Sequence, residues 1–196
     1  IKNFSLDFKV GLNTFISNGG SLIHSPAFYL IVGFFLKITN SILLIKYFYI
    51  FISSLIPYFF YLIIKIKYRT NSEYIFYLSL IIFISPYFRS SAIWLLGDNL
   101  SLLFFSLSIL FYLKTNDQKE VIINYYLCFI FLILCCYIRY YYCIFAIYFL
   151  INFYKDLNLK SFLKIIIVAT ILSLPAIFYF YYVIVYYNFF NALSKF

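Results

Sequence analysis

Only six of the 196 residues are acidic, so the chemistry open to this chain depends on where those carboxylates fall. Glu73, Asp117, Glu120 and Asp156 lie among lysines in polar connections, where solvated charge pairs account for them. Asp7 and Asp98 stand apart. Asp98 ends the stretch "SPYFRSSAIWLLGDN", Ser85 to Asn99, a polar connection between two apolar runs that also holds Arg89 and Gly97. Asp7 shares the early polar segment with His24, the single histidine. A carboxylate can accept a proton, offer oxygen to a hard divalent cation, or cap a helix start. The guanidinium groups of Arg89 and Arg139 can grip phosphate through their fork of donors or anchor a helix end at an interface. Asp98 also suits the plain role of amino-terminal cap for "DNLSLLFFSLSILFYL", and His24 that of a turn residue ahead of Pro26.

The elements that must position these groups are set by hydropathy. With 66% hydrophobic and 11% charged residues, the chain has too little polar surface to coat a soluble domain, and a membrane protein is expected. There are 23 Tyr and 27 Phe, so any one aromatic says little by itself. Apolar windows predict six transmembrane spans, near 41–64, 74–87, 99–113, 121–138, 140–154 and 163–187. The fold class expected is all-α, a polytopic transmembrane bundle over residues 41–196, preceded by an outer loop, residues 1–40. Within that loop "HSPAFYLIVGFFLK", His24 to Lys37, is too short to span and predicts an interfacial helix. The first residue is Ile rather than Met and no signal peptide is visible, which reads as an internal piece or a processed chain.

Cations assign the sides. Lys65, Lys67 and Arg69 follow the first span, Lys114 and Lys119 the third, and Lys155, Lys160 and Lys164 the fifth; the intervening turns carry Arg89 and Arg139. The positive-inside rule sends the first group to the cytoplasm and Asp7, His24, Asp98 and both lone arginines to the opposite side. The net charge of +9 is scattered between apolar runs rather than gathered into a stripe, which argues against a nucleic-acid partner. Cys128, Cys135, Cys136 and Cys143 match no zinc or redox spacing and read as packing residues.

The stretches "LDFKVGLNTFISNGGSLIHSPAFYL", Leu6 to Leu30, and "SPYFRSSAIWLLGDNLSLLFF", Ser85 to Phe105, resemble the amino-terminal module of GT-C membrane glycosyltransferases. The first is similar to the first outer loop of protein mannosyltransferases and lipid A aminoarabinose transferases, with His24-Ser25-Pro26 where that family usually has His-Pro-Pro. The second is similar to the acidic second-loop motif of the oligosaccharyltransferase catalytic subunit, with Leu100 where that motif has its last acid. The resemblance implies transfer of a sugar from a polyprenyl-phosphate donor to a lipid, glycan or protein acceptor on the non-cytoplasmic side, in a bacterial inner membrane or the endoplasmic reticulum. By the same resemblance Asp7 is the catalytic base. Asp98 and Asn99 orient the outer loop or hold a divalent cation, magnesium or manganese, with Asp98 as its ligand. Arg89, Arg139 and His24 meet the donor phosphate. The competing reading is a non-enzymatic multi-pass protein, a lipid or small-solute transporter, in which Arg89 and Asp98 pair to close the turn. The almost wholly apolar deep positions weigh against transport.

Overall fold

The computed structural model describes residues 7–17, 25–69, 73–117 and 122–181. Among them every regular element is a helix. In chain order these are α1 (Phe8–Ser17), α2 (Ala27–Thr39), α3 (Ile42–Ser54), α4 (Ile56–Tyr68), α5 (Glu73–Leu80), α6 (Pro86–Ile93), α7 (Gly97–Asp117), α8 (Ile122–Ile138), α9 (Ile144–Asp156) and α10 (Leu159–Tyr181). Two short 3-10 turns, Ile81–Ile84 and Tyr140–Cys143, lead into α6 and α9.

Local chemistry sets the boundaries. Asn40, left-handed at φ 52°, ends α2 and returns its N–H to the Leu36 carbonyl, and the Ser41 hydroxyl then caps α3 by accepting from the Leu44 N–H at 3.3 Å. Ser85 caps α6 in the same way, with Pro86 in the first turn where a missing N–H costs nothing. Pro175 sits inside α10; in the turn before it the Tyr137 hydroxyl donates to the Leu172 carbonyl at 2.6 Å.

Helices α7 and α8 run antiparallel at the centre. The Ser108 hydroxyl donates to the Cys128 carbonyl at 2.9 Å, and the Phe111 and Phe131 rings stack at 5.5 Å. Small buried residues along this seam, Ser101, Ser108, Cys128 and Cys135, let the two backbones approach closely. Helix α4 runs parallel to α7, because Ser53, just ahead of it, bonds Asn99 at the start of α7 while Lys67 and Arg69 share a groove with Tyr112 and Leu113 near its end. Helix α9 also follows α7, through Phe105 against Phe145 and Tyr112 against Phe149. These directions bring Lys65, Lys67, Arg69, Lys114 and Lys155 to one end and Arg89, Asp98 and Arg139 to the other, as the charge pattern predicts.

Among the described residues two stretches are long and apolar enough to cross a membrane: Ile42–Tyr68, 27 residues through the Leu55 joint, and Leu159–Tyr179. A third candidate is Glu73–Ile84 with Pro86–Ile93, bent by 68°. The window expected at 74–87 is thus broken by Ser85 and Pro86. That at 140–154 opens with a 3-10 turn, because Arg139 is extended at φ −135° and ends α8. The last helix starts at Leu159, earlier than the apolar window; its expected end at 187 lies outside the described residues. Only 6% of the apolar window of α10 is buried, so this helix needs an apolar surrounding that the described residues do not supply. The helix expected from His24 to Lys37 spans Ala27–Thr39, and it packs Phe28 and Val32 into the core, with the Phe28 ring edge-on to Tyr49 at 5.7 Å.

Candidate functional site

The Ser85–Asn99 connection folds as a tight corner. Ser85 and Pro86 start α6; Trp94 and Leu95 end it; Gly97 starts α7. Leu95 adopts φ 55°, a left-handed backbone that costs a non-glycine residue roughly 1–2 kcal/mol. Hydrogen bonds hold it there. The Leu96 N–H donates to the Ser91 carbonyl at 3.0 Å, and the Leu96 carbonyl accepts from the Ser91 hydroxyl at 3.3 Å and from the Tyr49 hydroxyl. Tyr49 oxygen in turn accepts from the Leu100 N–H at 3.2 Å, so one phenol from α3 ties both sides of the corner. Gly97 allows the close approach: a Cβ there would lie 2.8 Å from Ile138 Cγ2 and 3.2 Å from Phe28 Cγ.

Asp98 follows in the first turn of α7, where the helix dipole favours a negative charge. Its carboxylate does not turn back to cap the helix. It faces Arg139, 41 residues on, in a two-pronged contact: Nη2 donates to Oδ2 at 2.8 Å and Nε lies 2.7 Å from Oδ1. The two side chains are 13% and 11% exposed, Arg139 first. Burial works against the charge on Arg139, but the adjoining Asp98 carboxylate outweighs it and holds the guanidinium pKa above its usual value. Tyr87 and Tyr141 lie near enough to feel both charges. Arg89, the partner that a turn-closing pair would need, is exposed and makes no ion pair among the described residues. The cation that meets Asp98 comes from the α8–α9 break instead, because Arg89 is on the outer face of α6 while its neighbour Phe88 points inward at 5% exposure.

Asn99 turns the other way. Its side chain is buried at 2%, and its amide donates to the Ser53 hydroxyl at 3.2 Å and to the Phe88 carbonyl at 3.0 Å. Expected to orient the outer loop or hold a divalent cation, it is buried in the core and joins α7 to the α3–α4 joint and to α6. Asp7 is exposed and caps α1: Oδ1 accepts from the N–H groups of Lys9 and Val10 at 2.7 and 3.3 Å. Its Oδ2 makes no hydrogen bond among the described residues. His24 lies outside the described residues.

As a cation site the corner is poorly provisioned. Among the described residues no three His, Cys, Asp or Glu side chains converge, and a magnesium or manganese ion at Asp98 would have to displace the guanidinium from both carboxylate oxygens. The arrangement fixes the Asp98 carboxylate in place, and it presents Arg89 and Trp94, the latter 70% exposed, at the rim. Sequence reasoning passed over Tyr49, Ser53 and Ser91. A serine within an apolar window was the available signal for Ser53; Ser91 stood in the polar connection, and Tyr49 was hidden among 23 tyrosines.

Comparison of the chain with protein-family models, with curated proteins and with solved structures finds no match.

Proposed function

We propose that the chain is a multi-pass membrane protein with a glycosyl-transfer site at the end opposite its cationic turns, using a polyprenyl-phosphate sugar and an acceptor on the non-cytoplasmic side. What carries the reading is the Asp98–Arg139 pair, two residues distant in sequence that meet in a largely covered corner. In this reading Asp98 is a positioning residue. Both of its oxygens face one guanidinium, so it orients Arg139 rather than a substrate. Asp7, exposed and with one oxygen engaged at its own helix, is the base that withdraws the acceptor proton. Arg89, exposed beside the corner, meets the phosphate that leaves.

A non-enzymatic scaffold is the second reading, favoured by a specific observation: the buried polar groups of the corner are spent on one another, Asn99 on Ser53 and Phe88, and Tyr49 on Leu96 and Leu100. The two separate in a transfer assay. Membranes carrying the chain are incubated with radiolabelled polyprenyl-phosphate hexoses and pentoses, and labelled acceptor is counted. Transfer should fall at least about a hundredfold in Asp7→Asn, as expected when a general base is removed. Insertion, measured by resistance to carbonate extraction, should be unchanged. Transfer that survives in Asp7→Asn removes the base assignment, and no transfer by the unaltered chain with any donor leaves the scaffold.

A further inference from the structure

At the cationic end a groove of about 880 Å³ opens between α4, α7 and α9. Its floor and walls are apolar and aromatic, with Phe105 and Ile109 from α7 and Phe145 and Phe149 from α9. Its charge is confined to one wall, where Lys67 and Arg69 close α4. Both side chains are exposed, and Lys65 stands in the same turn. Asp156, at the end of α9, bears on Tyr112 in this groove, while the α4 side carries Lys67 and Arg69, the cations that would meet an anion. A long apolar trough with cations at one end has the polarity of an anionic amphiphile, and basic pockets between membrane helices at the cytoplasmic face take acidic headgroups. An apolar trough without the cations would admit any acyl chain. The two cations make it selective.

We propose that this groove binds one anionic phospholipid of the leaflet at the cationic end, with the phosphate between Lys67 and Arg69 and an acyl chain along Phe105, Ile109 and Phe145. The site lies at the other end of the bundle from the Asp98 corner. The inference rests on the membrane reading and not on the transferase one, and carbonate extraction tests the former separately.

The test uses the full chain extracted in detergent, offered phosphatidylglycerol or phosphatidylcholine of the same acyl composition, with retained lipid counted by native mass spectrometry. The unaltered chain should keep one phosphatidylglycerol and lose phosphatidylcholine. Lys67→Glu with Arg69→Glu should lower phosphatidylglycerol retention at least about tenfold. Ile109→Trp, which fills the trough without touching charge, should do the same. Lys37→Glu, an exposed cation on α2, should leave retention unaltered. Should charge reversal unfold the chain, seen as lost helical dichroism, Lys67→Gln with Arg69→Gln replaces it. Equal retention of both lipids, unchanged retention in the α4 variants or in Ile109→Trp, or an equal loss in Lys37→Glu each overturns the proposal.

Discussion

The two ends of the molecule are held together by different physics. At the α6–α7 corner the core contains polar atoms: Ser53, Ser91, Asn99 and Ser101 are all nearly inaccessible, and each has a defined hydrogen-bond partner. Around Phe153, where α8 and α9 meet the carboxyl end of α7, the core is a cluster of rings. Phe153 is fully buried and contacts Tyr112, Tyr125, Phe129 and Phe149 at centroid distances of 4.5 to 6.2 Å. Hydrogen bonds are directional and costly to leave unmade in a dry core, so the corner has one arrangement. Ring packing tolerates small shifts and is lost mainly through cavities. The difference teaches that directional polar contacts are concentrated where Asp98 is held and where Leu95 is strained, while the Phe153 end relies on rings packed on one another.

That contrast can be broken experimentally, starting with the largest effect. Phe153→Ala should lower stability by about 3–5 kcal/mol, the usual loss for a fully buried ring, read as the shift in thermal unfolding of the detergent-solubilised chain. Phe153→Leu should recover much of it; an equal loss would mean that ring geometry, rather than volume, holds this end. Arg139→Ala strands the Asp98 carboxylate and should cost about 3 kcal/mol, the low side of buried pairs because both side chains keep some exposure. The double variant Asp98→Leu with Arg139→Leu should be closer to the unaltered chain than Arg139→Ala alone, since no charge is left unpaired. A double variant at least as damaged would show that the corner needs the pair itself. The smallest effect is Tyr49→Phe, which keeps the ring against Phe28 and removes only the hydroxyl shared by Leu96 and Leu100. A loss of roughly 1–3 kcal/mol is expected for the unsatisfied groups left behind, with faster amide exchange at Leu100. Unchanged exchange there would move the strain-holding role to Ser91 alone.

The helical class and the placing of Lys65, Lys67, Arg69, Lys114 and Lys155 at the end opposite Arg89 and Arg139 were legible in the sequence, because they follow from hydropathy and charge counted along the chain. The helical path of the Ser85–Asn99 segment was not. Neither was the pairing of Asp98: Arg89 is nearer in sequence, but it lies on the outward face of α6, and one residue of helical phase separates it from the buried Phe88. Asn99 read as a ligand because asparagine beside aspartate in a polar turn resembles a binding motif, while its place one residue further round α7 turns it into the core.

What the sequence determined by itself is a strongly apolar chain with eight of its 15 Lys and Arg in alternate connections, since both properties are sums over local composition. Tertiary structure alone decided which charges meet and which polar side chains are sealed. A helix face rotates by about 100° per residue, so neighbours in sequence diverge while residues 41 apart, Asp98 and Arg139, converge.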